Sequence, residues 1–264
     1  MKAREPAVAG MFYPAEESEL RTEIKQFLGN AEVKLNQEQI KNLKAVISPH
    51  AGYKFSGKTM GYSFRAVLEH IKGSETEKYK VIILSPIHAF YHEGMCMLNT
   101  EYYETPLGRI RALQNNEIDK VADDKGEHSI EVLLPFLQEV FREAGKEFEI
   151  LPVMVGPFRD DDIERFAEII KKEISGNTLV VVSSDLSHYL PEEEAKRIDA
   201  ESIKNIVSKR LSGFDACGQF PIRILNKIAL EKGWKAELLD YSHSGEVMQS
   251  KEGVVGYAAI AYFQ

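Results

Sequence analysis

The chain has 264 residues, enough to bury a sizeable core, and 44% of them are hydrophobic, an ordinary share for a globular protein. A formal charge of −8 argues against a nucleic-acid footprint, which needs a basic face. No apolar run reaches the length of a membrane span, Met1-Lys-Ala-Arg-Glu-Pro6 has no signal-peptide core, and two cysteines, Cys96 and Cys217, cannot build a disulfide framework, so a reducing cytoplasm is expected.

In chain order, a first helix is expected to start near Pro14, with Leu20, Ile24, Phe27 and Leu28 on one face and Gly29 at its end. Lys44-Ala-Val-Ile-Ser-Pro-His50 reads as a strand. A helix follows, beginning between Ser56 and Met60 and running to about His70. Lys80-Val-Ile-Ile-Leu-Ser-Pro-Ile-His88 is a second strand and Met95-Cys-Met-Leu98 a third. Residues 99–126 read as irregular loops over one edge of the sheet. Ser129 is a candidate N-cap before the stripe Ile130, Leu133, Leu134, Leu137, Val140 and Phe141, in which Pro135 implies a kink or a later start.

Residues 147–156 form another buried strand. Asp160-Asp-Asp162 and Lys171-Lys172 place charge as a helix dipole prefers, with Gly176 closing that helix. Leu179-Val-Val-Val-Ser-Ser-Asp185-Leu-Ser-His188-Tyr189 is an apolar β-branched run that stops at polar residues. A long helix is expected from about Pro191 to Leu211, and another opens within 215–221. Strands over 236–241 and 254–263 complete the sheet. Strands alternating with helices give an α/β fold: one domain over 1–264, with a mixed, largely parallel central sheet flanked by helices.

The chemistry concentrates where strands stop. Short apolar runs without polar alternation are strands covered on both faces, and ligands of open parallel sheets bind at the carboxyl ends. Three such runs give way within a few residues to Ser, Pro or Asp and then His, in a chain with seven histidines. If the three are parallel, His50, His88 and His188 emerge at one edge. Histidine is the commonest metal ligand and the usual acid/base near neutrality. His50 and His88 are the leading ligand pair, since a mononuclear catalytic site takes three protein ligands and keeps an open position.

Cys217 is the third candidate. A helix N-terminus there would favour its thiolate, as ligand or nucleophile, and the bland alternative is a small buried hydrophobe, which is how Cys96 reads. Asp185 can orient His188 as general acid or base, serve as the carboxylate of a two-His-one-carboxylate iron site, or cap a turn. His128 is expected to face the same edge from its helix start. His92 and His243 are loop histidines with weaker claims, and His70 reads as surface. No G-x-G-x-x-G after a strand, G-x-S-x-G, Cys-x-x-Cys or H-E-x-x-H is present, so neither dinucleotide binding, serine-hydrolase chemistry nor nucleotide hydrolysis is a leading expectation.

With these residues in view the chain resembles the Memo family. The resemblance runs through Arg4-Glu-Pro-Ala-Val-Ala-Gly-Met-Phe-Tyr-Pro14, Ser48-Pro-His-Ala-Gly-Tyr53, Leu84-Ser-Pro-Ile-His88, Tyr103-Glu-Thr-Pro-Leu107 and Glu127-His-Ser-Ile-Glu131. It continues in Leu151-Pro-Val-Met-Val-Gly156, Ser183-Ser-Asp-Leu-Ser-His188 and Cys217-Gly-Gln-Phe-Pro-Ile222. It implies a fold similar to class III extradiol ring-cleaving dioxygenases. Metal-ligand positions would then be His50, His88 and Cys217, with His188 at the acid/base position and His128, Ser48 and Tyr53 around them. The implied cofactor is one redox metal ion, iron or copper, with zinc a further option because a thiolate stands where the dioxygenases have a carboxylate. The expected activity is a metal-dependent oxidoreductase. The alternatives are a binding protein whose cleft takes a peptide or small molecule, and a zinc hydrolase. Neither nucleic acid nor membrane is an expected partner.

Overall fold

In the computed structural model, which describes residues 2–248 and 251–264, the strands in chain order are β1 (Ala3–Arg4), β2 (Leu43–Ser48), β3 (Lys78–Ser85), β4 (Met95–Leu98), β5 (Tyr102–Thr105), β6 (Gly108–Arg111), β7 (Asp119–Val121), β8 (Glu147–Val155), β9 (Thr178–Ser183), β10 (His188–Leu190), β11 (Lys235–His243) and β12 (Val254–Phe263). The helices are α1 (Glu17–Asn30), α2 (Gln37–Lys41), α3 (Tyr53–Lys72), α4 (Leu134–Ala144), α5 (Ile163–Glu173), α6 (Glu192–Val207) and α7 (Gln219–Lys232).

Nine strands make one sheet in the order β10-β12-β2-β9-β3-β8-β4-β7, with β11 also paired to β12. The four apolar strands β2, β9, β3 and β8 are parallel neighbours, and β12 and β4 flank them antiparallel. The sheet is therefore mixed around a parallel centre. Alternate side chains enter two cores. Val46, Val81, Ile83 and Val181 pack on the side of α1, α3 and α4, while Ile47, Ile82, Leu84 and Val182 pack on the side of α5 and α7. Each such side chain stabilises by roughly 1.5–3 kcal/mol when fully buried, which is why these strands lack a polar face. Ser48, Ser85 and Ser183 fall on the α3 side at the carboxyl edge, and all three are fully buried.

Several elements depart from expectation, each for a local reason. The segment before α1 makes its own turn, Gly10 N–H to Tyr13 C=O, so the helix begins at Glu17 instead of near Pro14. α3 starts earlier than its apolar pattern suggested, because the Phe12 carbonyl accepts the Tyr53 N–H at 2.7 Å and so satisfies a first-turn donor. A Cβ at Gly61 would lie 2.6 Å from the Phe27 carbonyl oxygen, so glycine lets α1 and α3 approach closely. A short 3-10 turn over Glu131–Leu133 precedes α4, and Pro135 sits in the first turn of that helix, the later start that its ring allows. α5 ends at Glu173, before Gly176, and α6 at Val207.

The largest correction is at 99–126, which is partly regular. β5 and β6 form a hairpin in register Thr105↔Gly108, and β1 adds parallel to β5, making a small three-stranded sheet. Gly108 has φ 113°, a conformation glycine adopts without strain. β7 joins the edge of the large sheet beside β4.

Candidate metal centre

Because β2, β9 and β3 lie side by side and parallel, the segments after them emerge together. His50 follows β2 by two residues and His88 follows β3 by three. The Glu127-His128-Ser129 turn, ahead of α4, enters from the helix side. One ring nitrogen from each of His50, His88 and His128 lies within 4.8 Å of the others. The ring centroids are 5.2 Å apart for His50 and His88, 5.7 Å for His50 and His128, and 5.2 Å for His88 and His128. His50 is buried, whereas the His128 and His88 side chains are 24% and 34% exposed, so the group opens to solvent on one side.

Cys217, two residues ahead of α7, reaches the same place. Gly218 makes this possible, since a Cβ there would lie 2.7 Å from the Ser183 carbonyl oxygen. The Cys217 Sγ is 3.5 Å from His50 Nε2 and accepts the Asp185 N–H at 3.2 Å. Cys217 thus adjoins the histidines, although the mutually close set is His50, His88 and His128. The helix-dipole expectation for its thiol is overturned. Cys217 precedes α7, and burial together with the Asp185 carboxylate pushes the thiol well above its usual range, against opposing N–H donors.

Behind the rings lies a set of hydrogen bonds. His50 Nδ1 is 2.7 Å from Ser183 Oγ, which donates to the Ser129 carbonyl at 2.6 Å. Glu127, whose side chain is 1% exposed, accepts the N–H groups of His88, Ala89 and Ser129 and lies 3.2 Å from His88 Nδ1. Burial alone would raise the Glu127 carboxyl. The hydrogen bonds from the His88 ring and N–H and from Ser129 reverse this and hold it well below the carboxylate range. Burial, then the neighbouring His88 and His128, keeps His50 well below the ordinary histidine value. Burial likewise lowers His128, with Glu127 opposing. Neutral imidazoles are the form that binds metal.

The remaining candidates are placed as follows. Asp185 is buried, and its Oδ1 accepts the His50 N–H at 2.8 Å, so it orients the His50 backbone; its tie to His188 is one of charge. Burial raises its carboxyl, against the His50 N–H and the His188 charge. His188 is exposed on β10, outside the three-nitrogen group, with its ring 5.9 Å from Tyr189. Tyr189 itself has φ 59°, an outlier for a bulky residue. Ser48 lends its carbonyl to the Ser184 N–H at 2.9 Å. Tyr53 is a core residue whose hydroxyl donates to the Val132 carbonyl at 2.9 Å. His92 lies 3.2 Å from Asp119, His243 is buried 3.6 Å from Glu192, and the His70 ring, partly buried, meets the Ile40 carbonyl at 2.8 Å. Cys96 is fully buried, and its thiol is pushed up to about 12 by burial and Asp119.

One sequence pattern needs correcting. Gly52-Tyr-Lys-Phe-Ser-Gly-Lys-Thr59 matches the letters G-x-x-x-x-G-K-[ST], against the expectation that nucleotide hydrolysis has no motif here. The structure removes its meaning. From Tyr53 the segment is helical, so its N–H groups are not spread into a phosphate cradle. Lys58 pairs with Glu246 at 3.3 Å, and the Thr59 hydroxyl is held by Asp240 and Ser242.

The family description "Memo-like protein" matches residues 4–261. This chain belongs to the Memo family. Among its relatives, a MEMO1 family protein of Methanosarcina mazei is 34% identical over 98% of this chain and 99% of the relative. One from Nitrosopumilus maritimus is 34% identical over the same shares, and one from Methanopyrus kandleri is 32% identical over 98% of each. The match spans every segment that carries the Memo resemblance, including both sides of the histidine group. Sequence reasoning ranked His128 below His50 and His88 because it follows no strand. Glu127 was named only as part of the Memo-like run and given no role, although the signal was there in a Glu-His-Ser run directly ahead of an apolar helix.

Proposed function

We propose that this Memo-family protein is a metal-dependent oxidoreductase that holds one transition-metal ion among His50, His88, His128 and Cys217. The observation that carries the proposal is the approach of three imidazole nitrogens to within 4.8 Å of one another, with a thiol sulfur 3.5 Å from His50 Nε2. Such a donor set, imidazole with thiol, suits iron, copper or zinc and not magnesium or calcium. When bound, a redox metal supplies electron transfer and Lewis acidity. The chain's own parts in the reaction are distinct. His50, His88 and His128 present ring nitrogens, and His188, exposed beside Asp185, moves a proton to or from substrate in the open side of the cleft. The Asp185 carboxyl holds the His50 backbone in place.

Three large exposed side chains, close in sequence to this group, favour a substrate or peptide ligand there. Met11 is 73% exposed, Tyr91 74% and Tyr189 77%, and each lies within three residues of Phe12, His88 or His188. The Phe12 ring is itself 4.9 Å from that of His128. A binding protein using the same cleft without turnover is the second reading.

Elemental analysis tests the proposal, on protein purified without added metal and after anaerobic loading with iron, copper or zinc. Near-stoichiometric iron or copper that is lost in His50→Ala and weakened in Cys217→Ser is the expected result. Protein that takes up no metal under any of these conditions ends the oxidoreductase proposal and leaves the binding cleft. Metal uptake indifferent to both substitutions would place the ion elsewhere.

A further inference from the structure

We infer that Glu127 and Ser183 are positioning residues that fix His88 and His50 in the Nδ1–H tautomer, leaving Nε2 of both rings unprotonated. A neutral imidazole carries one N–H, and the hydrogen bond at one nitrogen decides which nitrogen keeps the proton. Ser183 has a single hydroxyl proton. It is given to the Ser129 carbonyl, 2.6 Å away, which can only accept. The 2.7 Å contact between Ser183 Oγ and His50 Nδ1 then needs its proton from the ring, so His50 is Nδ1–H. Its Nε2 is the atom beside Cys217.

For His88 the partner is a carboxylate. Glu127 Oε2 accepts the N–H groups of His88 and Ala89, and Oε1 accepts that of Ser129 at 3.0 Å. An ionised carboxylate only accepts. His88 Nδ1 lies 3.2 Å from Oε1, and with its proton on Nε2 two lone pairs would face each other at an almost fully buried atom. The Nδ1–H form removes that repulsion. One short turn therefore serves all three rings. Glu127 sets His88, the Ser129 carbonyl ends the relay that sets His50, and His128 lies between them. Arg4 Nη2 donates to the Glu127 carbonyl at 2.6 Å, which fixes the turn itself.

The consequence for metal affinity rests on the metal-site proposal above, and the tautomers do not. Histidine-labelled, metal-free protein examined by 15N NMR above the ordinary histidine pKa should show protonated Nδ1 and bare Nε2 for His50 and His88. In Glu127→Gln, His88 should move toward Nε2–H while His50 stays. In Ser183→Ala the reverse should hold. Competition with a chelator for zinc or copper should show each variant weakened by roughly 10–100-fold, the usual effect of removing a ligand's hydrogen-bonding partner. Glu139→Gln, at a buried carboxylate paired with Arg21 and Arg142, serves as a control that lowers stability and moves neither ring. Wild-type rings protonated at Nε2, or folded Glu127→Gln and Ser183→Ala proteins with unaltered rings, would overturn the inference. Should a variant not fold, the wild-type spectrum still decides. Wild-type protein that binds no metal yet shows both Nδ1–H rings would end the metal proposal and leave this one standing.

Discussion

At the scale of single residues, Glu127 stands apart from the buried glutamates that serve the core. The Glu131 and Glu139 carboxylates face arginines, Glu131 taking the Ala7 and Val8 N–H groups as well, whereas that of Glu127 is held by backbone N–H groups and an imidazole. Cys217 shows how context overrides a local rule. A thiol near a helix start was expected to be acidic, but burial and a neighbouring carboxylate outweigh the dipole. In metal-free protein, Cys217 should therefore react with iodoacetamide at pH 8 at least tenfold more slowly than a small-molecule thiol, because the thiolate is the nucleophile. A rate matching the small thiol would contradict the burial argument. Gly156, just after β8, tests how tightly the His88 loop is seated. A Cβ there would overlap the carbonyl oxygen of His92, so Gly156→Ala should destabilise by roughly 1–3 kcal/mol in urea titrations and weaken metal binding through displacement of the 86–94 loop. Unchanged stability would mean that the loop yields freely.

Elements decided what the sequence disclosed. β2, β3 and β9 were legible because burial on both faces leaves an unbroken β-branched run, and their shared direction brings His50 and His88 to one edge. The start of α3 was not legible, since its first N–H is satisfied by the carbonyl of Phe12, a backbone partner far away in sequence. The β5–β6 hairpin was missed for another reason. Its strands are four residues each and half exposed, too short for a period-two pattern to stand out. β1 matters beyond its size. Arg4 is buried against Asp124 and Glu131 and also holds the Glu127 carbonyl. Arg4→Ala would leave two buried carboxylates without their cation, a loss of about 3–5 kcal/mol. It should also loosen the turn that bears His128. Urea denaturation checks the first effect and chelator competition the second; a variant of wild-type stability would show that the pairs are dispensable.

For the whole molecule, acid is expected to destabilise the metal-free state. His50, His128 and His70 are depressed below the ordinary 6.5, so the unfolded chain binds protons there that the folded chain refuses. Stability should fall as pH drops below that value. Glu127 and Glu139 are depressed below 4.5, so their stabilisation is whole above that pH and is lost beneath it. Asp185 and Asp199 are raised above 3.8 and oppose the trend in part. Urea midpoints measured from pH 8 to 4 should decline, and midpoints that rise toward pH 5 would refute this balance.

The order of the sheet carries a further consequence, for the timing of assembly. The donors at positions 50, 88, 128 and 217 lie on segments that become neighbours only after strands distant in sequence have docked. Pairing of that kind is slow, because long loops must close before any contact rewards them. On the proposed reading, the unfolded chain offers an ion only scattered imidazoles and a thiol, and an ion would enter a finished fold. In this the chain is the opposite of a zinc finger, whose fold waits on its metal. If the proposed site is filled, a chelator should strip the ion reversibly and leave the circular dichroism unchanged, and a newly made molecule would fold before it takes up metal.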